Sequence, residues 1–212
     1  YLAYRDLPQI LDTYCKGKKA LDYGCGPGYS TELLNTWGFD VVGVDISRHM
    51  ITQSRKNHPQ LKFEHVGINQ LPYDDKLFDL VLSIFVLFDI PSMDLLIKYA
   101  REAQRVLKPD GIFIAVTGSE YFHKHNWLTA INDIEKNRNL KSGEAYSVKV
   151  TDVDITFHDF YYSDSDYTKA LEQGGLNKIA TFHPLGKKED NIDWLTEWKL
   201  PPYVTYVCSP SK

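Results

Sequence analysis

Cysteine is scarce in this chain: Cys15, Cys25 and Cys208 are the only three in 212 residues. Their odd number, wide spacing and lack of any Cys-x-x-Cys pair exclude a disulfide framework and a cysteine zinc site. A reducing, cytoplasmic setting is the expectation that follows. The opening residues from Tyr1 show no secretory-leader pattern. Basic clusters are lacking too. Nothing exceeds "KGKK" (16–19), which reads as a solvated turn, and the net charge is −4. No nucleic-acid partner is expected, because neutralising a phosphate backbone needs a basic face. Long hydrophobic runs are also missing. The longest, "LFDLVLSIFVLFDI" (77–90), is broken by Asp79 and Asp89 and is too short for a bilayer, so no membrane partner is expected.

What is present is enough apolar sequence, 43% of residues, to build one well-packed core in a single domain with an inserted cap. Strand-like and helix-like stretches alternate. "KALDYG" (19–24), "DVVGVDIS" (40–47), "LKFEHVG" (61–67), "FDLVLSIF" (78–85) and "GIFIAVTG" (111–118) read as strands. Between them, "YSTELLNTWG" (29–38), "RHMITQSRKNH" (48–58) and "SMDLLIKYAREAQRVL" (92–107) read as helices. Such alternation implies βαβ units with right-handed crossovers. The expected fold is α/β: a doubly wound, mostly parallel, seven-stranded Rossmann-like sheet with helices on both faces and a cap insert after strand five. Residues 119–150 read as polar and helical around a Gly143 turn, as a lid would. The stretch 148–162 alternates like one strand or two, 163–175 reads as a helix, and 177–185 and 203–209 read as the last strands.

The chemistry is written in "ALDYGCGPGYST" (20–31), where Gly24, Gly26 and Gly28 occupy every second position after a short apolar run. Glycines at a strand-to-helix turn let backbone N–H groups meet a ligand at the carboxyl end of the sheet. A dinucleotide fingerprint, G-x-G-x-x-G, fails here because Tyr29 stands where its last glycine belongs. Asp22, two residues before Gly24, would repel a pyrophosphate and welcome a ligand carrying ammonium and sulfonium charge.

"LDYGCGPG" resembles the first motif of the class I S-adenosylmethionine (SAM)-dependent methyltransferases. "VVGVDIS" is similar to their second motif, "LPYDDKLFDLVLS" to the block leading into strand four, and "VLKPDGIF" to the turn into strand five. The likeness spans about residues 18–118, half of the chain, with the four blocks in order. It implies SAM as cofactor and S-adenosylhomocysteine as product. Asp22, Gly24, Cys25, Gly26 and Gly28 would form the cofactor turn, with Cys25 read as packing rather than as a nucleophile. Asp45 would accept both ribose hydroxyls, Ile46 and Met50 would pack the adenine, and the backbone of Ile68 would touch its ring. Many relatives carry an acidic residue where this chain has Gly67, and Asn69 would stand in for it. Ser83, closing the strand-four block, joins the cofactor set.

The resemblance also divides the chain into an N-terminal cap segment (1–17), a SAM-binding core (18–118), a substrate-cap region (119–162) and the C-terminal part of the sheet (163–212). Many small-molecule methyltransferases place a histidine after strand four, where this chain reads "VLFDIP" (86–91). Asp89 there could orient or deprotonate a substrate, or equally cap the helix beginning near Ser92. In "FHDFYYS" (157–163) alternation sets Phe157, Asp159 and Tyr161 on one face and His158, Phe160 and Tyr162 on the other, with His158 as the favoured base. No base is obligatory, since a sulfonium already activates the methyl group and alignment does most of the work. His123 and His125, at i and i+2, suit no metal, and none is expected. Tyr4 and Arg5 would close over the cofactor carboxylate. The implied enzyme methylates a small-molecule acceptor as a monomer or homodimer. The alternatives are a protein or tRNA acceptor, an inactive SAM-binding protein, and a nicotinamide-dependent oxidoreductase.

Overall fold

The computed structural model describes residues 1–211. Two short N-terminal helices, α1 (Leu2–Arg5) and α2 (Leu7–Tyr14), precede β1 (Lys19–Tyr23). Then follow α3 (Tyr29–Thr36), β2 (Asp40–Asp45), α4 (Arg48–Asn57), β3 (Lys62–His65), β4 (Phe78–Ile84), α5 (Met93–Val106) and β5 (Leu107–Gly118). The insert holds β6 (Ala130–Asn132), α6 (Ile134–Asn137), β7 (Ala145–Val150) and β8 (Ile155–Phe160). The chain ends with α7 (Asp164–Gln173), β9 (Leu176–Phe182) and β10 (Tyr203–Pro210). No helix among the described residues is long and apolar enough to cross a membrane.

The main sheet has seven strands in the order β3-β2-β1-β4-β5-β10-β9, with only β10 running against its neighbours. This is the doubly wound architecture that the alternation predicts. Its central strands are buried on both faces, so they read as nearly continuous apolar runs. Leu21, Val81, Phe113 and Ala115 point to one face, where α5 and α7 pack. Ala20, Leu80, Leu82, Ile112 and Ile114 point to the other, covered by Leu7, Ile10 and Leu11 of α2 and Leu34 of α3. The strand order reverses between β1 and β4, and the crevice at their carboxyl ends is where such sheets bind ligands.

α5 forms because Leu96, Tyr99, Ala100, Ala103 and Val106 recur on one buried face. It starts at Ser92, whose Oγ accepts from the Leu95 N–H at 3.3 Å. Ser92, and not Asp89, therefore caps this helix. Ser92→Ala is expected to lower stability by about 1 kcal/mol in urea unfolding. An unchanged midpoint would mean that packing alone holds the helix start.

The insert departs from the helical reading of 119–150. It is a three-stranded antiparallel sheet, β6-β7-β8, with one turn of helix in α6. Tyr146 and Val148 are buried with Phe122, Trp127 and Ala130 beneath it, while Ser147 and Lys149 face outward. The polar half of that alternation hid the strand. β7 is stabilised by its pairing with β8, and such pairing is invisible to local propensity.

Candidate active site

Gly24, Gly26 and Gly28 take the left-handed conformation at φ 89°, 50° and 101°, so the turn from β1 into α3 is coiled back on itself. A Cβ on Gly24 would lie 2.3 Å from Val86 Cγ2, whereas one on Gly26 would meet nothing within 4 Å. Gly24 is therefore required by the protein's own packing, and the open side of the turn is at Gly26.

The turn's N–H groups are not free. Gly24 and Cys25 both donate to the Val44 carbonyl, at 2.8 and 2.9 Å, and Gly28 donates to the Cys25 carbonyl at 3.0 Å. Gly26 donates to Asp45 Oδ2 at 2.9 Å. The expectation that these donors meet a ligand is thus corrected: each already serves a protein oxygen.

Asp22 is fully buried on β1. Ser30 Oγ and Thr31 Oγ1, in the first turn of α3, both donate to its Oδ2 at 2.6 Å. Its Oδ1 has no partner. Burial pushes this carboxyl up to about 6, opposed by the two hydroxyls and reinforced by the charge of Asp45. An orphaned oxygen on a buried acid is costly, and its position directly under the turn calls for a donor from the crevice.

Asp45 ends β2 and accepts from the Ser47 N–H through Oδ1 at 2.7 Å, as well as from Gly26 through Oδ2. Each carboxylate oxygen has capacity for a further bond, so the pair can still take two hydroxyls. Around it, the apolar side chains of Ile46, Met50 and Ile68 are exposed by 56%, 37% and 64%. Asn69 sits at φ 51° and donates from Nδ2 to the Leu95 carbonyl at 3.5 Å, so its amide turns toward α5. Cys25 is buried against Ile51 and Phe63, and burial pushes its thiol far up, which fits packing and not nucleophilic chemistry. Ser83 needs a correction. It is sealed beneath the crevice, 2.9 Å from the Tyr99 hydroxyl, which donates to the Tyr23 carbonyl at 2.8 Å. Ser83 thereby braces the end of β1 instead of lining the cleft.

Arg5 is likewise spoken for. It pairs with Asp6 at 2.7 Å and Asp190 at 3.2 Å and donates to the Leu185 carbonyl, so it tethers the N-terminal helices and does not close over the cleft. Tyr4 stays near the turn, edge-on to Tyr29 at 5.0 Å.

The far wall is built by β8 and the single 3-10 turn Leu87–Asp89 after β4. Phe85 enters that turn at φ 60°, a strained backbone for an aromatic residue, and stacks on Phe88 with ring centroids 5.9 Å apart. Tyr162, just past β8, donates to the Ile90 carbonyl at 2.9 Å and ties the two segments together. Asp89 opens onto solvent at the cleft mouth, yet the protein around its carboxyl and the charge of Asp45 push it up to about 6. His158 points the wrong way. It is exposed on the outer face of the small sheet, its Nδ1 2.9 Å from Ser147 Oγ. Its neighbour Asp159 is the residue turned inward, 2% exposed.

The methyltransferase domain family matches residues 21–115. Over 169 residues the chain is 31% identical to the N-demethylindolmycin N-methyltransferase of Streptomyces griseus, covering 77% of this chain and 71% of that one. The chain belongs to the class I SAM-dependent methyltransferases. This methyltransferase is also 28% identical, over 193 residues, to the ubiquinone biosynthesis O-methyltransferase of Coxiella burnetii, covering 82% of this chain and 72% of the other. A crystal structure of an S-adenosylmethionine-dependent methyltransferase from Clostridium acetobutylicum shares the fold. Its TM-score is 0.71 at 20% identity, with 100% of this chain and 91% of that chain covered. Among such curated relatives the methyltransferase spans from 50% to 72% of the partner's length.

The sequence assigned no site role to three residues buried beneath the small sheet: Asp159, Tyr146 and His123. A signal existed for the first, since alternation in "FHDFYYS" sets Asp159 opposite His158. Choosing the inner face required knowing which side of β8 the main domain covers.

Proposed function

We propose that this methyltransferase binds SAM in the crevice at the ends of β1, β2 and β4 and methylates a small-molecule acceptor by in-line displacement. The residues present fit the cofactor. The orphaned Oδ1 of Asp22 suits a region that receives an ammonium, and the space beside Gly26 admits a chain with no Cβ in its way. Asp45 would hold the ribose hydroxyls, with Ile46, Met50 and Ile68 covering the adenine. Bound SAM supplies a methyl carbon already activated by a sulfonium. The protein's task is then to orient the acceptor and exclude water.

The observation that carries the small-molecule reading is the hollow under the cap sheet. It is a tight hollow of about 10 Å³ beside the ends of β4 and β5, walled by Phe88, His123, Tyr146, Tyr161, Tyr162 and Tyr167, and this aromatic lining suits a small, flat acceptor. The net charge of −4 argues in the same direction against tRNA.

The test is calorimetry with SAM and S-adenosylhomocysteine, then transfer of labelled methyl into a cell extract separated by size. Micromolar binding, roughly 8 kcal/mol, and label in the low-mass fraction are expected. Label confined to protein or tRNA would overturn the acceptor class. Absence of binding by folded protein would remove the proposed cofactor site.

A further inference from the structure

We infer that Asp190 is the clasp of a gate over the cofactor crevice: through Arg5 it holds Tyr4 of α1 across the crevice, and this clasp must release for cofactor to enter or leave. The inference rests on the cofactor site proposed above and assigns control of its exchange to residues outside that site.

α1 lies over the carboxyl ends of the central strands. Ala3 packs in one cluster with Ile84 at the end of β4 and Val116 near the end of β5. Tyr4 reaches further, to where the strand order reverses. Its ring stands edge-on to Tyr29 at 5.0 Å and to Phe85 at 6.4 Å. Tyr29 directly follows Gly28, and Phe85 directly follows β4, so one side chain bridges the glycine turn and the neighbouring strand end. Burial and then the charge of Asp22 push the Tyr4 phenol above its usual range, which sets its hydroxyl on the Asp22 side. A ligand that reaches the orphaned Oδ1 of Asp22 does so past this ring.

α1 cannot keep this position by itself. It has four residues and no side-chain cap at its start, and a single helical turn is not stable alone in water. Besides the burial of Leu2 and Ala3, what fixes it is Asp190, on the 3-10 turn Lys188–Asp190 between β9 and β10. The Asp190 side chain is only 4% exposed. From the N-terminal side, Arg5 Nη1 donates to its Oδ2 at 3.2 Å and the Tyr1 hydroxyl to its Oδ1 at 3.1 Å. From its own segment, Trp194 Nε1 and the Lys187 N–H donate to Oδ2 at 3.0 and 2.7 Å.

The clasp therefore joins two pieces of chain that are each weakly held. Segment 183–202 has no regular element except that turn, and such connections open more readily than packed strands. Removing one carboxylate frees both pieces at once. None of the clasp residues belongs to the proposed cofactor set, so the clasp governs the rate of passage more than the strength of binding.

The test is stopped-flow binding of S-adenosylhomocysteine, read by intrinsic fluorescence, beside amide hydrogen exchange of the ligand-free protein. Asp190→Ala is expected to raise the association and dissociation rates together, each by at least about tenfold, while Kd stays within about threefold. Arg5→Ala is expected to do the same, with the double variant within about threefold of the faster single one, because both break one contact. In ligand-free protein, Asp190→Ala should speed exchange in residues 1–6 and leave β1, β4 and β5 unchanged. Both rates within about threefold of the wild type overturn the inference. Faster dissociation without faster association also overturns it, since that is lost binding and not a gate. If Asp190→Ala fails to fold, Arg5→Ala decides. A folded wild type that does not bind S-adenosylhomocysteine would overturn the proposed function. Exchange in residues 1–6 then decides the clasp separately, and unchanged exchange in the variant overturns it.

Discussion

Asp45→Ala is expected to weaken S-adenosylhomocysteine binding by about 30- to 1,000-fold, roughly 2–4 kcal/mol. Two charge-assisted bonds to a ribose diol would be lost together. A second loss adds to the first. The Asp45 carboxylate also holds the N–H groups of Gly26 and Ser47, at 2.9 and 2.7 Å, so alanine frees the turn that shapes the crevice. Asp45→Asn separates the two effects, because the amide keeps one accepting oxygen and the side chain's size. Its expected loss is about tenfold. Calorimetry reads the affinities, and thermal unfolding of each variant shows that the fold is intact. An Asp45→Ala protein that binds within about threefold of the wild type would place the diol elsewhere.

Asp22→Asn is expected to stabilise the ligand-free protein near pH 7.5 and to weaken cofactor binding at the same time. Burial raises the folded-state pKa of Asp22 from 3.8 to about 6. As pH climbs through 4 the unfolded chain releases this proton first, so unfolding is favoured. The penalty grows until the folded-state value is passed and then stays constant, at up to about 3 kcal/mol. Asparagine cannot ionise and keeps one oxygen for the Ser30 and Thr31 hydroxyls, so it escapes the penalty. Urea unfolding of both proteins at pH 4 and pH 7.5 should show the variant's advantage only at the higher pH. An equal difference at both values would mean that the acid's charge has no part in it. Cofactor titrations at pH 7.5 should run the other way, with wild type binding more tightly, because the orphaned Oδ1 is expected to receive its donor from the ligand. Stability given up at a binding residue is a common trade.

The alternation of β1 to β5 with α3, α4 and α5 is legible because it depends on local periodicity. So is the glycine turn, because a backbone at φ 50° to 101° restricts residue choice whatever surrounds it. Asp45 is legible as the acid ending a strand, and Cys25 as packing, since both follow from position within one motif.

Other features depend on partners far along the chain. Arg5 is a free cation in sequence and a clamp in the fold, because Asp190 comes to meet it from 185 residues away. Ser83 reads as a cleft residue until Tyr99 covers it. The 119–150 insert reads as helix until β8 supplies the other half of its hydrogen bonds. In "FHDFYYS" the period-2 pattern assigns His158 and Asp159 to opposite faces, yet either face could have been the inner one. The sequence by itself therefore determined the family, the sheet and the glycine turn. Only the tertiary structure decided that Asp159 and not His158 turns inward, because the inside of a strand is defined by what packs against it.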